Sequence, residues 1–159
     1  MSFDISGGPM EKPYVKGALK LIILELLKNP NHGYGIMAEV ERLYGIKLSA
    51  GTVYPILSSL KRSGLIKVVE TGDRDRKTYQ ITERGIEYLN KNEKELNDIK
   101  RKLLAYKAFL ELGGEELKEA FKQLFKSIDN LNEAQREELE STFRECARKI
   151  KLLLLGERA

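Results

Sequence analysis

Arg74, Arg76 and Lys77 fall within four positions of one another, in a loop that also holds Gly72, Asp73 and Asp75. Lys61 and Arg62 end a second run, rich in small and hydroxyl residues, that starts at Ser49. Clustered guanidinium and ammonium groups do one kind of chemistry well: they hydrogen-bond phosphate oxygens at short range and attract a polyanion at longer range. Between positions 47 and 77 the seven basic residues Lys47, Lys61, Arg62, Lys67, Arg74, Arg76 and Lys77 face three acidic ones, Glu70, Asp73 and Asp75, a local excess of four. The whole chain carries +4, from 28 basic and 24 acidic residues. Residues 1–92 hold 14 basic and 10 acidic groups and residues 93–159 hold 14 of each, so the excess belongs to the N-terminal part. Charge alone leaves two readings, a nucleic-acid surface and an ordinary solvated face, with Asp73 and Asp75 speaking for the second.

Other chemistries find little support. A single Cys and a single His, Cys146 and His32, cannot supply a disulfide framework or four zinc ligands. Gly33 and Gly35 lack a preceding strand and a correctly spaced third Gly, so they do not form a dinucleotide loop. Ser58 and Ser59 have no evident base or carboxylate partner. No catalytic residue, metal site or cofactor is expected, and the chain reads as a non-enzyme. His32, before a Gly-Tyr-Gly turn, is expected to cap or turn the chain, and Cys146 to be a buried small hydrophobe. No run of eighteen apolar residues exists and the first fifteen residues have no apolar core, so neither a membrane span nor a signal peptide is expected. A cytoplasmic protein is the resulting expectation.

The elements that must position these residues follow from periodicity and punctuation. Residues 1–13, with Gly7, Gly8, Pro9 and Pro13, read as a flexible arm. A densely apolar helix follows from about Val15 to Lys28, ended by Asn29-Pro30-Asn31. A second runs from Tyr34 to Tyr44, with Gly45 as its left-handed exit. Ile46-Lys47-Leu48 suggests a short strand. A third helix starts near Ser49 and ends before Gly64. Leu65–Glu70 and Lys77–Thr82 then read as two strands of an antiparallel hairpin. The remainder is helical: one long pattern over 83–111, a break at Gly113-Gly114, a helix over 115–129, and a last helix capped by Asn132 with Gln135 three residues on.

Three helices followed by a hairpin is the order of a winged helix-turn-helix, whose third helix enters the DNA major groove. At roughly 100° per residue, Val53, Ile56, Leu57 and Leu60 share one side of that helix. Gly51, Pro55, Ser58, Ser59 and Arg62 take the other, flanked by Tyr54 and Lys61. Pro55 admits two helix starts: at Ser49, which puts the proline in the second turn, or nearer Gly51, which leaves it in the tolerated first turn.

The strings His32-Gly33-Tyr34-Gly35-Ile36, Gly51-Thr52-Val53-Tyr54-Pro55-Ile56-Leu57, Gly64-Leu65-Ile66 and Arg76-Lys77-Thr78-Tyr79-Gln80-Ile81-Thr82-Glu83-Arg84-Gly85 closely resemble the PadR family of transcriptional regulators. The resemblance covers about residues 16–90. It implies a homodimeric repressor that binds an inverted-repeat operator in double-stranded DNA. The family's DNA-contacting segments map onto Tyr34, onto Ser49, Gly51, Thr52, Tyr54, Pro55, Ser58, Lys61 and Arg62, and onto Arg74, Arg76 and Lys77. It also implies dimerisation through C-terminal helices and, in some members, a small hydrophobic or phenolic effector. The multidrug-binding type stacks its ligands between tryptophans, and this chain has none. Tyr14, Tyr106, Phe109 and Phe121 are aromatic candidates for an effector pocket, with core packing the better assignment for each.

The fold class expected is therefore mainly α with a small β hairpin. Residues 14–90 form the winged domain and residues 91–159 a helical dimerisation domain. Leu89, Leu96, Leu103 and Leu110 recur every seventh position, and Ile99 and Tyr106 fall three residues after two of them, giving an apolar seam interrupted by Asn92. That seam must be buried, by a partner copy or by the chain's own last two helices, over 115–129 and after Asn132. A winged-helix module that binds protein, with DNA binding weak or lost, is the alternative to a DNA-binding regulator.

Overall fold

A computed structural model of the chain describes residues 16–73 and 76–156. The expected N-terminal arm lies outside the described residues. The chain divides into two compact units, the first ending at Gly114 and the second beginning at Glu115.

The first unit is built on α1 (Lys16–Leu26), which has apolar residues on all sides. Leu19, Leu21, Ile22, Ile23, Leu24 and, just past its end, Leu27 are all buried. α2 (Gly33–Tyr44) and α3 (Ala50–Arg62) pack on it through Ile36, Val40, Val53, Leu57 and Leu60, which are wholly inaccessible. Gly45 ends α2 with φ +67°, the left-handed exit expected of it. The His32 side chain caps the start of α2, its Nδ1 accepting the Gly35 N–H at 2.9 Å, which is the structural role expected of it.

The sheet has three strands, in the order β1-β3-β2, all antiparallel: β1 (Asn31–His32), β2 (Ile66–Thr71) and β3 (Lys77–Ile81). The hairpin was legible in the sequence, but the third strand was not. Ile46–Leu48 is irregular, and the two residues that pair instead are Asn31 and His32, opposite Tyr79 and Thr78. The reason is local: Ile46 is buried in the core and Leu48 packs against it, which leaves apolar residues satisfied without a ladder. β2 carries a bulge between Val68 and Glu70.

The long helix expected over 83–111 is two helices, α4 (Glu83–Lys91) and α5 (Glu93–Phe109), broken at Asn92. Asn92 leaves the helical region, with φ −111°, and donates its side-chain amide to the Tyr88 carbonyl at 2.7 Å. Polar Asn92 thus terminates α4. α5 then crosses α1 and α2, where Lys100 Nζ pairs with Glu25 at 3.0 Å and Lys107 Nζ donates to the Arg42 carbonyl at 3.0 Å. A π-helical turn, Leu110–Gly114, closes the unit.

In the second unit α6 (Glu115–Ser127) and α7 (Glu133–Leu154) are joined by a 3-10 turn, Ile128–Asn130. Asn132 and Gln135 form the full capping box expected at the start of α7. Phe121 and Phe143 stack with centroids 5.7 Å apart, yet no described residue of α6 or α7 is fully buried. Cys146, expected to be buried, is exposed, because the stripe it shares with Phe143, Ile150 and Leu153 is itself exposed.

Candidate nucleic-acid interface

Ala50 is the first residue of α3 and Ser49 its cap position, so Pro55 falls in the second turn. Position 55 has no N–H to offer the Gly51 carbonyl, which lies four residues earlier. Ser49 makes no side-chain cap; its hydroxyl instead pairs with that of Thr52 at 2.9 Å, while the Thr52 and Val53 amides donate to the Ser49 carbonyl. Opposite the buried Val53, Leu57 and Leu60, an exposed stripe runs along α3 through Gly51, Tyr54, Pro55, Ser58, Lys61 and Arg62. Thr52 and Ser59 are half-buried at its margins. Helical geometry puts residues three and four apart on one face, so this stripe is what the sequence spacing implied.

Tyr34, at the start of α2, is 62% exposed and meets Tyr54 edge to face, with ring centroids 6.4 Å apart and planes at 77°. Gly33 makes this possible. A Cβ there would stand 2.7 Å from Cζ of Tyr54, inside any tolerable contact. Gly35 has a matching role, since a Cβ there would collide with the Asn31 side-chain oxygen. In the sequence both glycines mark only a failed phosphate loop. Their role as seats for neighbouring side chains is signalled there by nothing except the Gly-Tyr-Gly spacing.

The wing begins close by. Tyr79 of β3 is buried, and burial pushes its phenol above the usual tyrosine range, with Tyr54 nearby acting in the same direction. At the tip the Gly72 amide donates to the Arg76 carbonyl at 2.8 Å and the Arg76 amide to the Asp73 carbonyl at 3.3 Å. Arg76 and Lys77 are exposed there; Arg74 lies outside the described residues. The base of the wing is fastened to the helices. The Ile81 amide donates to the Leu27 carbonyl at 2.8 Å, and the Thr82 hydroxyl to the Gly64 carbonyl at 2.7 Å. Thr82 also caps α4 by accepting the Gly85 N–H. α4 approaches so closely that a Cβ on Gly85 would strike the Leu65 carbonyl oxygen.

The seam residues sit elsewhere. Leu89, Leu96 and Leu103 are buried in the first unit's own core, and Ile99 and Tyr106 are packed partly against it. Leu110 is half-buried in the turn after α5. These three leucines are enclosed in the first unit's own core, where α4 packs on α1 and α5 packs on α1 and α2; neither a partner copy nor, as the alternative had it, the helices over 115–129 and after Asn132 are needed to cover them. Among the described residues no group of three or more His, Cys, Asp or Glu side chains is placed to hold a metal.

A helix pair joined by a short glycine turn, an exposed polar stripe on the second of them, and a basic wing fastened beside it make the first unit a winged helix-turn-helix. Residues 23–91 match the Transcriptional regulator PadR-like family, over rather less than half of the chain. A curated relative, the Transcriptional activator GvpE of Haloferax mediterranei, is 33% identical over 63 residues, 40% of this chain and 32% of that protein. This chain thus spans about a third of that relative's length. Among solved structures, a transcriptional regulator from Clostridium thermocellum is 28% identical with a TM-score of 0.47, covering 54% of this chain and 89% of that one. A PadR family transcriptional regulator from Eggerthella lenta is also 28% identical, with a TM-score of 0.46 and coverage of 53% and 76%.

Proposed function

We propose that this protein is a cytoplasmic, sequence-specific regulator of transcription that binds double-stranded DNA as a homodimer and represses from an inverted-repeat operator. The observation that carries the reading is the α3 stripe from Gly51 to Arg62, exposed beside a basic wing in a PadR-like domain. α3 enters the major groove with Tyr54, Pro55 and Ser58 toward the bases. Ser49, Thr52, Lys61 and Arg62 hold phosphate, and Arg74, Arg76 and Lys77 hold the backbone or minor groove beyond. Tyr34 buttresses this surface from α2.

Two copies are needed because one reading helix covers only half of an inverted repeat. With Leu89, Leu96 and Leu103 enclosed, the heptad positions left for a partner are Ile99, Tyr106 and Leu110, each only partly covered. The exposed apolar residues Leu117, Phe125, Phe143, Ile150 and Leu153 of α6 and α7 offer a partner further surface to cover. Repression, and release by a small hydrophobic or phenolic effector, rest on the family resemblance. The curated relative is named an activator, so a promoter–reporter assay decides the sign of regulation.

The test is binding to the DNA upstream of the protein's own gene, against a scrambled duplex, at low and physiological salt. Tight binding to the upstream duplex alone, kept at physiological salt, is the expected result. Equal binding to both, lost as salt rises, would favour a winged module that serves a protein partner, a reading supported by Asp73 and Asp75 in the wing.

A further inference from the structure

The first two turns of the exposed α3 stripe lack the side chains that usually name bases. Asn and Gln, which pair with adenine, and Asp and Glu, which accept from cytosine, are absent from Gly51, Tyr54, Pro55, Ser58, Lys61 and Arg62. Lys61 and Arg62, the two guanine-reading types, are the last two residues of the helix, beyond the part that lies deepest in a groove. What the first two turns do present is a hydroxyl, Ser58, and a contiguous carbon surface, Tyr54 and Pro55. The Tyr54 ring lies over Gly33, in the space that a Cβ there would take, and meets Tyr34 edge to face. In the major groove the one apolar group on a base edge is the thymine methyl.

Resting on the DNA-binding reading above, we infer that Tyr54 is a specificity-determining residue whose ring packs on a thymine 5-methyl group in each half-site. Tyr34 and Gly33 are positioning residues for that ring. The ligand class is thus a duplex with an obligatory thymine on each side of the dyad, recognised by its methyl group and not by its hydrogen-bonding edge.

Two random duplex pools, one synthesised with thymidine and one with deoxyuridine, test this by repeated selection on the full-length protein. Uracil keeps every hydrogen-bonding group and lacks only the methyl. The thymidine pool is expected to yield a consensus with a thymine in each half-site whose counterpart in the deoxyuridine pool has lost its preference. On the selected duplex, replacing that thymine by uracil is expected to weaken binding about fourfold per half-site, the equivalent of roughly 0.8 kcal/mol for one buried methyl-sized group. Tyr54→Ala is expected to bind the two duplexes equally. Tyr34→Ala, at an exposed position, is expected to keep the fold, as circular dichroism would check, and to narrow the same ratio. A consensus unchanged by uracil would overturn the inference. So would thymine–uracil discrimination that survives in both variants, which would assign it to duplex shape. Failure of both pools to enrich would overturn the DNA-binding reading, and this inference with it.

Discussion

Two glycines and one buried phenol carry predictions at the scale of single residues. The Cβ of Gly33→Ala would meet the far end of the Tyr54 ring, which can swing, whereas that of Gly85→Ala would meet the backbone carbonyl of Leu65. Gly33→Ala is therefore expected to leave the melting temperature nearly unchanged and to lower DNA affinity in a titration. Gly85→Ala is expected to lose stability by about 1–3 kcal/mol in denaturant unfolding, the usual cost of forcing extra volume into a packed contact. Tyr44 is buried beneath α5, and burial raises its phenol pKa, with Lys100 opposing and Glu25 adding to the shift. Below a pH of about 10 the phenol is neutral both folded and unfolded, and stability is intact. Above that the unfolded chain ionises first, so stability falls as pH rises toward and through the folded-state pKa. Tyr44→Phe is expected to flatten that alkaline decline in unfolding curves collected between pH 9 and 11. His32 and Gly45 were readable in the sequence because caps and left-handed exits depend on immediate neighbours. The seat that Gly33 provides was not, because Tyr54 lies on a different helix and nothing in a linear pattern names the partner of an absent Cβ.

At the scale of elements, α5 is the part that periodicity placed only halfway. A seven-residue repeat says that a stripe must be buried but is silent on what buries it, and Leu89, Leu96 and Leu103 lie in the first unit's own core, where α4 packs on α1 and α5 on α1 and α2. The winged domain expected to end at residue 90 therefore lacks part of its core without α5. A fragment ending at residue 92 is expected to be largely unfolded, and one ending at Gly114 to melt cooperatively by circular dichroism. Leu103→Ala in the full chain should cost about 2–5 kcal/mol. The helix break at Asn92 likewise reads as continuity in the sequence, because neither Gly nor Pro marks it and a single side-chain bond to the Tyr88 carbonyl accompanies the break. The hairpin was legible through its β-rich runs and Gly/Asp loop. β1 was not, since two residues are too few to show any alternation.

At the scale of the whole molecule, the two units differ in how they are held. The first has a continuous apolar core, while α6 and α7 bury no described residue fully and leave Phe125 64% exposed. If a second copy covers that stripe, calorimetry should resolve a transition for the C-terminal unit that rises with protein concentration, as mass action requires. A concentration-independent single melt would count against the homodimer. Charge is also distributed unevenly, and the basic excess of residues 1–92 should appear as a salt dependence of DNA binding. Replacing Arg74, Arg76 and Lys77 together by Ala is expected to weaken binding to all duplexes alike. The slope of log affinity against log salt should become shallower by about one for each phosphate that is no longer neutralised. Unchanged affinity would remove the wing from the interface.

The Tyr34–Tyr54 pair also gives this protein an optical reporter. The chain has seven tyrosines and no tryptophan, so its intrinsic ultraviolet emission comes from phenols alone. Tyr44 and Tyr79 are buried away from the surface, whereas Tyr34 and Tyr54 stand open on the face offered to DNA. Stacked or packed bases would quench those two emitters, so an unlabelled titration followed at tyrosine wavelengths should report occupancy of the reading head directly, and Tyr34→Phe with Tyr54→Phe should darken the signal.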